Sequence, residues 1–202
     1  MGEFTIEDFS KPITSVNGDQ TAVFWDVVEF PFPDSDSPDM IYRKIESAVR
    51  EKGCRGQVSI WVYVDDKNGS WGGEFLHRKT WESRIFFLPG GDKLSRHNRM
   101  FHDLLLWMID SPVLGGVEST VFVFSDKVKE EFFDTLESLT NVRCDNVYLT
   151  PSKQPVIKAE HAEWPRWLFD SLYAFIVYIL SKKHLTGSKK LLTGSKMKIV
   201  LD

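Results

Sequence analysis

Residues 21–28 read TAVFWDVV, an apolar and β-branched run of strand length that contains a single carboxylate, Asp26. Comparable runs recur at residues 56–64 (GQVSIWVYV), 84–88 (RIFFL), 119–124 (STVFVF) and 146–149 (NVYL). Strands that are apolar along their whole length are typical of a parallel sheet covered on both faces. The sequence therefore predicts an α/β protein with a central, mostly parallel, five-stranded sheet.

Amphipathic segments separate the predicted strands. Ser37 is a favourable N-cap for a helix over residues 38–51, and Gly53 is expected to end it. A second helix is predicted over residues 95–109 and a third over residues 127–139. Right-handed crossovers then place helices on both faces of the sheet. In such three-layer folds, ligands bind beyond the carboxyl ends of the strands.

The composition is that of an ordinary folded protein. The chain has 202 residues, a net charge of −4 and 42% hydrophobic residues, which excludes a wholly disordered, collagenous or coiled-coil protein. Its two cysteines, Cys54 and Cys144, form no CxxC pattern, so neither a zinc site nor a disulfide framework is predicted. The sequence contains no GxSxG or HExxH motif. No export signal is visible, so we expect an intracellular and most simply a cytoplasmic protein.

Charge and hydropathy divide the chain into parts. Residues 1–19 are acidic and are predicted to form a flexible lead-in to a domain over residues 20–150, which a linker at 151–162 follows. The stretch 163–183 contains nine consecutive apolar residues, whereas a bilayer span needs about 20. We therefore expect no membrane span there, and a helix packed on the domain is favoured over a membrane anchor. Residues 184–202 are predicted to be a basic, flexible tail.

Three aspartates are candidate metal ligands. Asp26 interrupts an apolar strand, where a carboxylate is costly unless it is paired or binds a metal; alternatively, it lies past the strand end and caps a turn. Asp103 lies in the apolar helix segment MFHDLLLWMI, although an i, i+4 ion pair with Arg99 would equally suit a solvated face. Asp126 follows the fourth strand directly, where it is also a good N-cap for the next helix.

The three aspartates come from separate segments that a parallel sheet can bring to one edge. Converging carboxylates would hold Mg²⁺ or Mn²⁺, which activate water and neutralise phosphate charge in phosphodiester cleavage. Lys93, Arg96 and Arg99 lie shortly before the second aspartate and could hold phosphates. His97 and His102 could assist, although a helix histidine is more often a surface or boundary residue.

Four segments together resemble the NYN-domain family, whose members have a PIN-like ribonuclease fold. These segments are TAVFWDVVEFPFP, GQVSIWVYVDD, GGDKLSRHNRMFHDLLLWMIDSP and STVFVFSDK, in that order over about residues 20–150. The likeness is greatest to plant NYN proteins related to meiosis regulator and mRNA stability factor. It implies a PIN-like three-layer fold, acidic metal ligands and RNA endonuclease activity in RNA processing, mRNA stability or regulation of gene expression.

The resemblance also implies roles for particular residues. The catalytic metal ligands would be Asp26, Asp103 and Asp126, with Glu29 as a further ligand. RNA would be contacted by Lys93, Arg96, Asn98 and Arg99. Family resemblance alone adds an association with peroxisomes.

Several positions depart from the family pattern. Val28 replaces an acid that usually follows the first strand, and Glu29 stands where Asn or Asp is usual. His97 and Asn98 occupy the place of another expected acid, and Lys127 falls where the late aspartate is expected. Two hypotheses follow: a metal-dependent RNA endonuclease, or a catalytically degenerate NYN domain that serves as an RNA-binding or protein-interaction module.

Overall fold

The structure, a computed structural model, describes residues 20–65, 81–110, 119–125, 146–150 and 162–174. In chain order its elements are β1 (Gln20–Asp26), α1 (Pro38–Glu51), β2 (Gln57–Val64), β3 (Ile85–Pro89), α2 (Lys93–Asp110), β4 (Ser119–Phe124), β5 (Asn146–Leu149), α3 (Arg166–Ser171) and β6 (Tyr173–Ala174). The strands form one six-stranded sheet in the order β3-β2-β1-β4-β5-β6. The strands β1 to β5 pair in parallel, and β6 is antiparallel to β5. The predicted α/β fold with a mostly parallel sheet flanked by helices is confirmed.

The bounds of most strands agree with the sequence predictions. The strands predicted at 119–124 and 146–149 are confirmed without change. The first strand ends at Asp26, two residues earlier than predicted, because the chain turns there. In that turn the Phe30 N–H donates to the Asp26 carbonyl oxygen at 2.9 Å. Asp26 is therefore the last residue of β1.

Helix α1 is confirmed over its predicted length. The Ser37 hydroxyl accepts a hydrogen bond from the Met40 N–H, and Pro38 occupies the first turn. An apolar stripe of Ile41, Ile45, Ala48 and Val49 is buried against the sheet. The helix ends where Gly53 adopts a φ of 84°, a conformation that favours glycine.

The alternation of side chains along β1 separates two apolar layers. Val23 and Trp25 belong to the layer beneath α1 and α3, whereas Ala22 and Phe24 belong to the layer beneath α2. Because successive strand residues point to opposite faces, Asp26 falls on the α2 side. Helix α2 is thus the helix that meets the carboxyl end of β1.

The C-terminal segment differs from its prediction. Instead of one helix over residues 163–183, α3 ends at Ser171, Leu172 is extended, and Tyr173–Ala174 pair with β5. Aromatic and β-branched residues suit strands as well as helices, and short apolar runs do not distinguish the two. Packing on the sheet is observed, since the Phe169 ring lies 5.0 Å from that of Phe124.

Several predicted segments lie outside the described residues. They are the lead-in at 1–19, the third helix at 127–139, residues 151–161 of the linker predicted at 151–162, residues 175–183 and the tail at 184–202. Within the part of the chain that is described, no helix has the length and apolar character needed to cross a bilayer.

Candidate metal centre

The candidate site lies where the strand order reverses. β1 pairs with β2 on one side and with β4 on the other, so the crossovers leave in opposite directions beyond its carboxyl end. In open parallel sheets, this point opens a crevice in which ligands bind. Asp26 lies at this edge, with Tyr63 of β2 as its register partner.

The Asp26 carboxylate is buried and accepts several polar contacts. Its side chain is 1% exposed and forms an ion pair with Arg96. The Arg96 Nε atom lies 3.0 Å from Oδ1 and 2.9 Å from Oδ2. Oδ1 also accepts backbone hydrogen bonds from Val28 and Glu29, at 3.0 and 3.3 Å. Asp26 is thus both paired with a charge and the cap of the turn after β1, which combines the two readings that the sequence left open.

Arg96 is buried beneath the loop that follows β3. Its side chain is 3% exposed, and Nη1 donates to the Gly91 carbonyl oxygen at 3.3 Å. A Cβ atom added to Gly90 would lie 2.1 Å from Arg96 Cγ, so this position has no room for a side chain. Arg96 is therefore buried rather than exposed, because its guanidinium is paired with the Asp26 carboxylate and the absence of a side chain at Gly90 leaves room for its aliphatic part. Its contact with RNA stays a prediction.

Helix α2 begins two residues earlier than predicted, at Lys93. The preceding Asp92 accepts a hydrogen bond from the Ser95 N–H at 2.8 Å, as an N-cap does. The earlier start matters for the site because it places Lys93, Arg96 and His97 on consecutive turns facing the end of β1.

Glu29 and His97 join Asp26 in one cluster. His97 Nε2 lies 3.5 Å from Asp26 Oδ2 and 3.5 Å from Glu29 Oε1. One potential ligand atom from each of the three residues lies within 4.8 Å of the others. The two carboxylates, Asp26 first and then Glu29, raise the pKa of His97 to about 9. At neutral pH and without a metal ion, His97 therefore carries a proton.

Lysine and arginine residues border this cluster. Lys93 Nζ lies 2.6 Å from Glu29 Oε1, and the lysine side chain is 54% exposed. Arg99 donates to the Pro89 carbonyl oxygen at 2.6 Å and is partly exposed. Asn98 is half-buried on the same helix. Lys93 is therefore exposed and Arg99 partly exposed beside the cluster, and their contact with phosphate stays a prediction.

Asp103 lies in a separate arrangement. Its Oδ2 accepts a hydrogen bond of 2.8 Å from the hydroxyl of the buried Tyr63, and it lies 3.8 Å from Arg99 Nε. Burial raises the pKa of Asp103 despite the hydrogen bond, and burial also raises that of Tyr63 well above its usual range. The ion pair with Arg99 is present, whereas Asp103 is not part of the cluster formed by Asp26, Glu29 and His97.

The fourth predicted ligand, Asp126, lies outside the described residues. The residue before it, Ser125, is buried. Because Trp25 pairs with Phe124, the register places Ser125 beside Asp26 at the same edge of the sheet.

The donor set fits a divalent cation. Two carboxylates and an imidazole are common ligands of divalent metals in proteins. Within the described part of the chain, the buried His97 Nε2 makes no hydrogen bond of good geometry, so it is suited to bind an ion. Lys93 and Arg96 already balance the two carboxylate charges, so an ion would compete with Lys93 for Glu29 and share the Asp26 carboxylate with Arg96.

His97 is the ligand that the sequence analysis did not assign. A signal was present, because His97 and Lys93 are four residues apart and thus share a helix face. What the sequence could not give is the rotation of that face toward the end of β1.

Comparison of the chain with models of known protein families found no match, and a search of curated proteins found no significant one. The fold and the cluster thus define the chain as an α/β protein with a candidate metal centre at the point of strand-order reversal.

Proposed function

We propose that the protein is a metal-dependent RNA endonuclease that hydrolyses phosphodiester bonds in RNA processing, mRNA stability or regulation of gene expression. The observation that carries the proposal is the buried cluster of Asp26, Glu29 and His97 at the carboxyl end of β1. The resemblance of the sequence to NYN domains supports RNA as the substrate. A cytoplasmic location belongs to the same proposal.

The residues of the site would divide the work of binding and positioning. Asp26, Glu29 and His97 would hold the ion, which when bound supplies activation of water and neutralisation of phosphate charge. Arg96 is a positioning residue, because it fixes the Asp26 carboxylate through both oxygens. Lys93, exposed at the start of α2, would contact phosphate oxygens of the RNA.

A second candidate function is a non-catalytic RNA-binding or protein-interaction module. One observation favours it: the charge of Asp26 is already neutralised by the buried Arg96. If Arg96 and Lys93 hold the two carboxylates permanently, the cluster only stabilises the fold. The exposed side of α2 then serves to bind RNA or a protein without cleavage.

An RNA cleavage assay with Mn²⁺ or Mg²⁺ separates the two candidates. Glu29→Gln is the informative variant, because Glu29 belongs to the cluster whereas the buried Arg96 pairs with Asp26. The exposed Glu82, substituted by Gln, serves as the control. We expect the wild type and Glu82→Gln to cleave RNA, chelation to abolish cleavage, and Glu29→Gln to lower the rate by about 100-fold.

Two outcomes contradict the nuclease proposal. Equal rates for Glu29→Gln and Glu82→Gln would show that the cluster does not catalyse the reaction. RNA binding that weakens with salt but never leads to cleavage would favour the second candidate.

A further inference from the structure

We infer that the cluster of Asp26, Glu29 and His97 is a transition-metal site in which His97 Nε2 is a ligand, selecting ions of the Mn²⁺, Fe²⁺ and Zn²⁺ class over Mg²⁺. The inference rests on the proposed function in one respect, since both need a divalent ion in the cluster. It goes further by naming the nitrogen ligand and the class of ion.

The first argument is the position of the imidazole. The His97 side chain is 8% exposed and lies between two carboxylates of 1% and 10% exposure. Among the described residues, Nε2 has no hydrogen bond of good geometry. A buried polar atom usually makes a well-formed hydrogen bond. The two contacts of 3.5 Å from Nε2 to the carboxylates are long for one, which points to an ion that would complete the site.

The second argument is distance. Metal–ligand bonds of about 2.0–2.2 Å place neighbouring ligand atoms roughly 2.8–3.6 Å apart in tetrahedral or octahedral geometry. The two distances from Nε2, to Asp26 Oδ2 and to Glu29 Oε1, are both 3.5 Å. The three ligand atoms lie within 4.8 Å of one another. Glu29 has the longer of the two carboxylate side chains, so its rotation can bring the two carboxylate oxygens to a distance that one ion can bridge.

The third argument is the chemistry of the ligand set. Mg²⁺ prefers oxygen ligands in near-ideal octahedral geometry and retains several waters. Imidazole nitrogen is instead a typical ligand of transition metals, whose affinity for nitrogen and oxygen sites rises from Mn²⁺ through Fe²⁺ to Cu²⁺ and falls again at Zn²⁺. One nitrogen at the centre of the cluster therefore favours a transition-metal ion.

The neighbouring cations leave a path for the ion. Arg96 approaches Asp26 through Nε and also donates to the Gly91 carbonyl oxygen, so it can remain bound while Oδ2 keeps a second lone pair. Lys93 is more than half exposed and can leave Glu29 for solvent. Binding of the ion thus requires displacement of the exposed lysine and loss of the His97 proton, but not displacement of the buried arginine.

The experiment measures Mn²⁺ binding to the full chain by calorimetry and by pulsed electron paramagnetic resonance, which detects nitrogen nuclei bound to Mn²⁺. We expect wild-type protein to bind Mn²⁺ at least about tenfold more tightly than Mg²⁺ and to show coupling to one imidazole nitrogen. Because this spectrum is recorded on the wild type, it does not depend on whether any variant folds.

Substitutions of His97 provide the second test. His97→Gln should remove the nitrogen coupling and weaken Mn²⁺ binding by at least about tenfold. His97→Glu should shift the preference toward Mg²⁺, because all three ligands then provide oxygen. The exposed His102 on the same helix supplies the control, since His102→Gln should bind Mn²⁺ as the wild type does.

The outcomes distinguish this inference from the proposed function. Mn²⁺ binding without nitrogen coupling, or equal affinity for Mn²⁺ and Mg²⁺, would overturn the inference and leave a metal-dependent nuclease possible. A complete lack of divalent-ion binding in the wild type would overturn both. Nitrogen coupling with no RNA cleavage would support the inference and contradict the nuclease.

Discussion

The buried pair of Asp26 and Arg96 should dominate the stability of the edge of the sheet where the site lies. In Asp26→Asn, the guanidinium of Arg96 loses its charged partner and, among the described residues, keeps the carbonyl oxygen of Gly91, 3.3 Å away, and a neutral amide. Leaving one member of a buried ion pair uncompensated typically costs about 3–5 kcal/mol. For a chain of this size, each kcal/mol lowers the melting temperature by about 2–4 °C, so a loss of roughly 6–20 °C is expected.

Removing the other member of the ion pair should lower the free energy of unfolding less. In Arg96→Met, the Asp26 carboxylate keeps two backbone hydrogen bonds and remains near His97. The double variant removes both charges, so its loss of stability should fall short of the sum of the single losses by about 2–3 kcal/mol. Urea unfolding of the metal-free protein measures all four free energies of the cycle, with Glu82→Gln at an exposed position as control.

Two results would refute this reasoning. One is a loss below about 0.5 kcal/mol in Asp26→Asn, which is the range of ordinary surface substitutions. The other is simple additivity in the double variant. A loss of cleavage in Asp26→Asn would therefore report on stability as well as chemistry.

Three further predictions concern neighbouring residues. Gly90→Ala should lower the free energy of unfolding of the wild type by displacing the side chain of Arg96. The same substitution should lower it much less in an Arg96→Ala background, where Cγ is absent. Equal losses in the two backgrounds, measured by urea unfolding, would contradict the clash. The raised pKa of His97 predicts that its protonated form stabilises the fold fully below pH 6.5 and that this stabilisation is lost as the pH rises to about 9. The contribution has an upper limit of about 3 kcal/mol and is roughly half of that after solvent screening. Urea unfolding of the metal-free wild type and of His97→Gln at several pH values should show the difference, and parallel pH profiles would refute it. Lys93→Gln should strengthen Mn²⁺ binding up to about fivefold, because it removes a competitor for Glu29, and calorimetry measures this effect. The same variant should lower the salt dependence of RNA binding by about one phosphate contact, which a salt titration measures. Weaker binding of both Mn²⁺ and RNA would argue against competition.

Local signals explain what the sequence predicted well. Helix α1 has its N-cap, proline and glycine within the segment itself, and β4 is a short apolar run whose boundaries are unambiguous. Asp26 was recognised for the same reason, because a lone carboxylate in an apolar strand is conspicuous.

The errors arose where partners are distant in sequence. Whether Arg96 lies inside or at the rim depends on how α2 rotates against a strand 70 residues earlier. The role of His97 depends on the same rotation. The ending of α3 at Ser171 reflects pairing with β5, which periodicity within the segment does not report.

The antiparallel strand β6 has a consequence for the solubility of the molecule. Tyr173–Ala174 pair with Tyr148 and Leu149, whose backbone hydrogen-bonding groups would otherwise lie at the edge of the sheet. Uncovered strand margins recruit strands from other molecules and promote aggregation. A two-residue strand therefore helps to keep neighbouring molecules apart, and chains shortened to end before Tyr173 should self-associate as concentration rises.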